Sequence, residues 1–312
     1  MSTDTLDNEI TLQRRDLRLR VAPYGASLRG LWRESGDGRS EIIITGYSGQ
    51  DHKMGGEGDV LIPFPGRVRA GRYSLNGETY QMELSDKEGP NAIHGFVRHS
   101  LWKITEQSEN AITFAISLRP DEHVGYPFAL RMTVSYGLDE EGMTCRFFVE
   151  NAGERPAPVA AGFHPYFTVG STRIDTDRLQ VPMRSFLEFE NLVPTGRVLS
   201  VEGTPFDFRE PRLIEGTVIN TCFLDPVRDA DGLLRVRLDD PGTQRGLTVW
   251  MDAAFDFLVL YSGDPLPDSH RRRALAIEPM TCGSDAFNHP EWGLAALAPG
   301  ATLTGVWGVT SN

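Results

Sequence analysis

Cysteine is scarce in this sequence: Cys145, Cys222 and Cys282 are the only three, an odd number with no paired spacing. That argues against a disulfide framework and for reduced thiols in a cytoplasmic compartment. The default for such isolated thiols is a small buried hydrophobe rather than a nucleophile. No apolar run approaches the ~20 residues needed to span a bilayer. Met1–Asp7 also lacks the basic and apolar regions of an export signal. No membrane partner is expected. Long basic runs are missing too; Arg271-Arg272-Arg273 is the densest cluster, and such a triplet ordinarily marks a solvated turn. With 31 basic against 43 acidic residues the net charge is −12, so nucleic-acid phosphates are repelled rather than bound.

Sustained helical periodicity is absent as well, as are linkers, low-complexity tracts and internal repeats. What is present is frequent punctuation. Glycine and proline make up a sixth of the 312 residues and are spread evenly, which favours many short strands. Cys145, Phe147 and Val149 alternate with Thr144, Arg146 and Glu150, and Leu234, Val236 and Leu238 alternate with two arginines. Phe255, Phe257, Val259 and Tyr261 fall on one face of another run, and Ala111–Leu118, Ala129–Tyr136 and Thr302–Thr310 are rich in β-formers. Asn76-Gly77 inside Tyr73–Met82 is a strong hairpin signal. The expectation is one all-β domain over residues 1–312, a large antiparallel β-sandwich with two packed or curved sheets.

Against this background four polar side chains stand out. In Arg273-Ala-Leu-Ala-Ile-Glu-Pro279, strand parity puts Ala274, Ala276 and Glu278 on one face and Leu275 and Ile277 on the other. In Val159-Ala-Ala-Gly-Phe-His-Pro165, His164 shares its face with Ala160 and Gly162, while Phe163 lies opposite. In Asn91-Ala-Ile-His-Gly95, His94 has Ala92 on its face and Ile93 opposite. Each titratable group projects from a face of small neighbours, which leaves room for a ligand where a core would hold bulk. Proline follows both Glu278 and His164, so each is expected at a strand end or a bulge. Arg67, in Leu61-Ile-Pro-Phe-Pro-Gly-Arg67, sits where two prolines exclude a central strand and could donate several hydrogen bonds to hydroxyls. Taken singly, a histidine near a strand end is ordinarily structural and an arginine ordinarily superficial. A glutamate ending an apolar strand pairs with an arginine about as often as it does chemistry. The shared arrangement at separate sites favours function.

These stretches together resemble the aldose 1-epimerase family, also called galactose mutarotases, and within it a bacterial subgroup of mutarotase-related proteins. The resemblance runs from Gly58 to Asn288 through Pro63-Phe-Pro-Gly-Arg-Val-Arg-Ala-Gly-Arg-Tyr73, Asn91-Ala-Ile-His-Gly-Phe96, Gly162-Phe-His-Pro-Tyr-Phe167 and Ile277-Glu-Pro-Met-Thr-Cys-Gly-Ser-Asp-Ala-Phe-Asn288, with a C-terminal strand in Pro299–Thr310. It implies a mutarotase-like β-supersandwich and interconversion of the α and β anomers of a free hexose. It also implies Glu278 as general base on the anomeric hydroxyl and His164 as general acid on the ring oxygen. Arg67 and His94 would position substrate. Two departures bear on the sugar: Gly66 stands where the family often has Asn, and Asn220 where the family has an aspartate that grips hydroxyls.

The chemistry stands apart from the name. Opening a cyclic aldose needs one proton to leave O1 as another reaches the ring oxygen, and a carboxylate and an imidazolium on opposite sides of a pyranose pocket can supply both. The charged imidazolium would be favoured by the nearby carboxylate. No cofactor or metal is needed, and the expected partner is a small sugar bound by a monomer or homodimer. Three alternatives are carried. A non-catalytic carbohydrate-binding sandwich would keep Arg67 and aromatics such as Trp102 and Trp292 without needing both Glu278 and His164. A metal-dependent cupin-like barrel would want closely spaced histidines, yet the seven histidines include no His-x-His pair, and strand parity separates His94 from His99. A mutarotase for an anionic, phosphorylated or sulfonated hexose would draw on Arg67, Arg69 and Arg72.

Overall fold

The structure, a computed structural model, describes residues 9–36, 38–45 and 55–312. Two large antiparallel sheets dominate it. The first has twelve strands and runs Ile10–Arg14, Leu17–Ala22, Ser27–Ser35, Gly38–Ile43, Tyr166–Phe167, Leu275–Met280, Phe257–Tyr261, Asn220–Pro226, Met183–Glu190, Val193–Ser200, with Gly162–Phe163 and Val60–Leu61 joined beside Leu275–Met280. The second runs Lys103–Gln107, Ala111–Leu118, Leu130–Leu138, Gly142–Asn151, Thr302–Ser311, Arg245–Met251, Leu234–Asp240, Arg178–Gln180, Arg212–Leu213. Helical structure among the described residues is confined to short 3₁₀ turns such as Val97–His99 and Pro290–Trp292, and no helix is long and apolar enough to cross a membrane.

Period-2 alternation decides which face each strand buries. Cys145, Phe147 and Val149 turn inward from Gly142–Asn151, and Leu234, Val236 and Leu238 from their strand. They join Leu19, Val21 and Leu31 of the other sheet in one core. Burying each such aliphatic side chain contributes roughly 1.5–3 kcal/mol. A hydrogen bond from Tyr136 Oη to the Ala26 carbonyl, 2.7 Å, ties the layers together. Arg72–Leu75 and Glu78–Gln81 form the hairpin signalled by Asn76-Gly77, both with positive φ as a tight two-residue turn demands.

Phe257, Val259 and Tyr261 share a face as expected, whereas Phe255 lies outside the strand Phe257–Tyr261 and enters the inter-sheet core with Leu258 and Leu260. Val259 and Tyr261 look away from it and are only half-buried. A strand with bulky apolar groups on both faces gives parity nothing to separate.

Asp177 is fully buried between Ile174–Thr176 and Arg178–Gln180, and neither carboxyl oxygen has a hydrogen-bond partner among the described residues. Burial raises its pKa to about 6, with Asp240, Asp175 and Asp239 adding to the shift against a favourable contact from Ser171. Because the folded value lies above the unfolded one, this group's stabilising effect is complete below pH ~4 and is lost as pH rises through about 6. Asp177→Asn should therefore stabilise the fold by on the order of 1–2 kcal/mol at pH 8 and not at pH 4, read from denaturant midpoints. A gain that is the same at both pH values would contradict a charged origin.

Candidate active site

Glu278 and His164 meet because of strand register. Gly162 pairs with Met280 on one side, and Tyr166 with Ala276 on the other. That alignment sets His164 opposite Glu278, and cross-strand partners share a face. His164 Nε2 lies 3.3 Å from Glu278 Oε1, with both side chains buried. Phe163 points the other way, against Phe147, Phe255 and Trp307, and Ile277 and Leu275 enter the same core. The small residues Ala274 and Ala276 flank Glu278 as parity required.

Two expectations change here. Glu278 lies inside the strand Leu275–Met280, whereas the following proline had suggested a strand end or bulge. Pro279 is tolerated because the neighbouring strand is interrupted at His164-Pro165, so the missing N–H leaves no gap in a ladder. And the pair are direct neighbours, where separation across a sugar-sized pocket was expected.

His94 follows the short strand Asn91–Ile93 and adopts a left-handed conformation, φ +62°, so strand parity does not reach it. Its orientation comes from Gly66. The His94 N–H donates to the Gly66 carbonyl at 2.9 Å, and the Gly66 N–H donates to His94 Nδ1 at 3.2 Å. Nδ1 is thus an acceptor, which leaves Nε2 to carry the proton as a donor. The ring stands edge-on to His164, centroids 5.6 Å apart. Gly66 itself has φ +65°, and a Cβ there would come 2.8 Å from Ser284 Oγ. Glycine in place of the amide is therefore what the packing of Ser284 permits.

Arg67 begins the strand Arg67–Arg69, paired with Asn91–Ile93. Its N–H donates to Ser284 Oγ at 3.1 Å, and its carbonyl accepts from the Asp285 N–H at 2.7 Å. The segment after Glu278 so clamps the arginine. Nε of Arg67 reaches Asp86 Oδ2 at 2.7 Å. Asn220 heads the strand Asn220–Pro226, opposite Tyr261 and thus one row from Cys222, Val259 and Glu278 on the same sheet face. It is exposed. The structure accordingly brings Glu278, His164, His94 and Arg67 around one point, with Asn220 on the adjoining surface.

Electrostatics follow from burial. Removal from water pushes the Glu278 carboxyl well above the usual carboxylate range, opposed by Arg67. Burial likewise takes His164 down to about 4, with Asp59 opposing and Arg98 assisting. His94 is lowered by burial and then by Arg98, His164 and Arg67. The free site therefore holds a neutral imidazole, which corrects the expectation of a charged His164, beside a carboxyl whose ionisation burial disfavours. Glu278 Oε2 and His164 Nδ1 are buried without hydrogen-bond partners among the described residues. A buried polar atom without a protein partner calls for an explanation, and a catalytic role is one.

Several site residues carried no recognisable signal. Asp86, which fixes Arg67, lies in an unremarkable polar loop. Tyr166, whose ring stacks 5.3 Å from His164 and whose hydroxyl donates to the Gly55 carbonyl at 2.9 Å, reads as an ordinary strand aromatic. Ser284 and Asp285 stood inside a quoted motif without an assigned role. Trp102 and Trp292 are buried, Trp102 donating to the Val97 carbonyl, so neither offers a sugar-stacking surface. Cys145, Cys222 and Cys282 are free and buried, each thiol pushed up by burial. Among the described residues no three His, Cys, Asp or Glu side chains converge as metal ligands.

The family model for aldose 1-epimerase matches residues 8–309. The uncharacterized Escherichia coli K12 protein YihR is 30% identical over 232 residues, covering 74% of this chain and 71% of its own. The galactose mutarotase of Sus scrofa is 27% identical over 318 residues, covering 93% and 89%. Among solved structures, the GalM/aldose epimerase homologue of C. elegans superposes with TM-score 0.86 at 19% identity, over 98% of both chains. Matched over residues 8–309, the chain belongs to the aldose 1-epimerase family.

Proposed function

We propose that the protein is an isomerase that interconverts the α and β anomers of a free hexose, with Glu278 and His164 moving the protons. The observation that carries this reading is their cross-strand contact, 3.3 Å between Nε2 and Oε1. O1 and the ring oxygen of a pyranose are bonded to the same carbon. An acid and a base held side by side can reach both, and opposed residues on adjacent strands are neighbours by construction.

The proton count is consistent with this. The relay needs one proton on the pair, and burial, which raises the Glu278 carboxyl and lowers His164, favours its place on Glu278. Moving it to His164 gives a carboxylate and an imidazolium. Glu278 then takes the O1 proton as His164 protonates the ring oxygen, and the pair returns to its neutral form while the sugar is open. Burial thus favours the protonation state that belongs to the open-chain stage. Rotation of the aldehyde about C1–C2 and the reverse transfers close the ring on the other face. His94, a fixed Nε2–H donor, and Arg67 would hold hydroxyls, with Asn220 at the rim.

The test is anomer exchange of neutral and anionic hexoses, followed by saturation-transfer NMR; exchange of none above background removes the proposal. The pH profile adds a check. Because His164 takes up a proton only near pH 4, kcat/KM should be level through neutrality and fall about tenfold per unit below about 4. A half-point near 6.5, the ordinary value for histidine, would contradict the neutral resting imidazole.

A further inference from the structure

The guanidinium of Arg67 holds two carboxylates of different kinds. Asp86 is buried, with its side chain 2% exposed. Its Oδ2 accepts from Arg67 Nε at 2.7 Å and from Asn91 Nδ2 at 3.2 Å, and its Oδ1 accepts the Glu88 N–H at 3.0 Å. Burial works against ionisation of Asp86, but these hydrogen bonds outweigh it and hold the carboxyl below its usual range. Asp86 alone therefore balances the charge of Arg67. Glu88 comes in addition: its Oε2 accepts from Arg67 Nη2 at 2.7 Å while its side chain stays 57% exposed.

The charge of Glu88 also reaches Tyr261. Burial raises the Tyr261 phenol to about 12, and the Glu88 charge is the next contributor, followed by Asp264 and Glu278. Tyr261 is the strand partner of Asn220 and Ala276, one row from Glu278. Arg69, on the same strand face as Arg67, lies 3.6 Å from Asp285 and bonds the Pro194 carbonyl. The local balance around the arginines is thus negative.

We propose that Glu88 is a specificity-determining residue: it occupies the open edge of the Arg67 guanidinium and screens the site against sugars that carry a phosphate or sulfonate. A neutral hydroxyl can share the guanidinium with Glu88 as one more acceptor. An anionic group must displace an exposed carboxylate and then remain beside its charge. The inference deepens the proposed anomer exchange and rests on the same site.

The test separates the two. Methyl glucoside and methyl galactoside cannot open at C1, so their binding reads recognition without turnover. Each is titrated against wild type and Glu88→Gln, alongside its 6-phosphate, at low salt. Wild type should bind the neutral glycoside about tenfold or more tighter than its 6-phosphate, and Glu88→Gln should narrow that ratio by about five- to tenfold. Added salt should shrink the wild-type ratio, and the thermal midpoint of Glu88→Gln should stay in place, since the side chain is largely solvated. A ratio unchanged in Glu88→Gln, a wild type that prefers the 6-phosphate, or no binding of either glycoside overturns the proposal. Intact binding ratios with no anomer exchange by wild type would leave the charge screen standing and remove the anomer-exchange reading.

Discussion

Glu278→Gln should lower catalysed anomer exchange by about 10²–10⁴-fold, the usual worth of a positioned proton-transfer group. Glutamine keeps the volume, the strand position and an oxygen toward His164, but it cannot take a proton from O1. The fold should not suffer. Glu278 is a buried carboxyl whose Oε2 has no partner among the described residues, so removal of its ionisation deletes a cost rather than a support. A thermal midpoint equal to or above wild type, together with the lost exchange, would assign the loss to chemistry. Retention of exchange would remove Glu278 from the mechanism.

His164→Asn should produce a loss of the same order. The asparagine is smaller, so the ring stacked on Tyr166 is lost with the proton carrier, and stability may be read separately from activity. The more telling expectation concerns the pair. If one proton serves both residues, either substitution stops the relay, and the double variant should be no worse than the poorer single one. Independent contributions would multiply instead.

How much of this was legible beforehand differs from element to element. The alternation around Cys145 and around Val236 exposed the sandwich, because a half-buried strand must repeat every second residue. Asn76-Gly77 announced its hairpin for a local reason, the positive φ of a tight turn. The faces of Glu278 and His164 followed from parity and survived folding. Their contact did not follow, since it depends on register between strands far apart in the chain, and register is set by Gly162–Met280 and Tyr166–Ala276 pairing that no local pattern encodes.

The misreadings have similar causes. Pro279 looked like a strand terminus because the interruption that tolerates it lies in the partner strand. Parity misled at His94, which has left the strand and turned to φ +62°. Arg67 read as a donor to substrate hydroxyls, while Asp86 and Glu88, which engage its guanidinium, lie in a loop without periodicity. The charge on His164 was misread for want of burial: a nearby carboxylate suggested an imidazolium, and desolvation takes the ring down to about 4.

The account depends most on two buried side chains acting as a single proton-exchanging unit. Saturation-transfer NMR between the two anomers of an accepted aldose, run on wild type, Glu278→Gln, His164→Asn and the double variant, addresses it directly. The account predicts rapid exchange in wild type and the same near-background rate in all three variants. Wild-type exchange surviving in either single variant, or a double variant whose loss is the product of the two single losses, would contradict it.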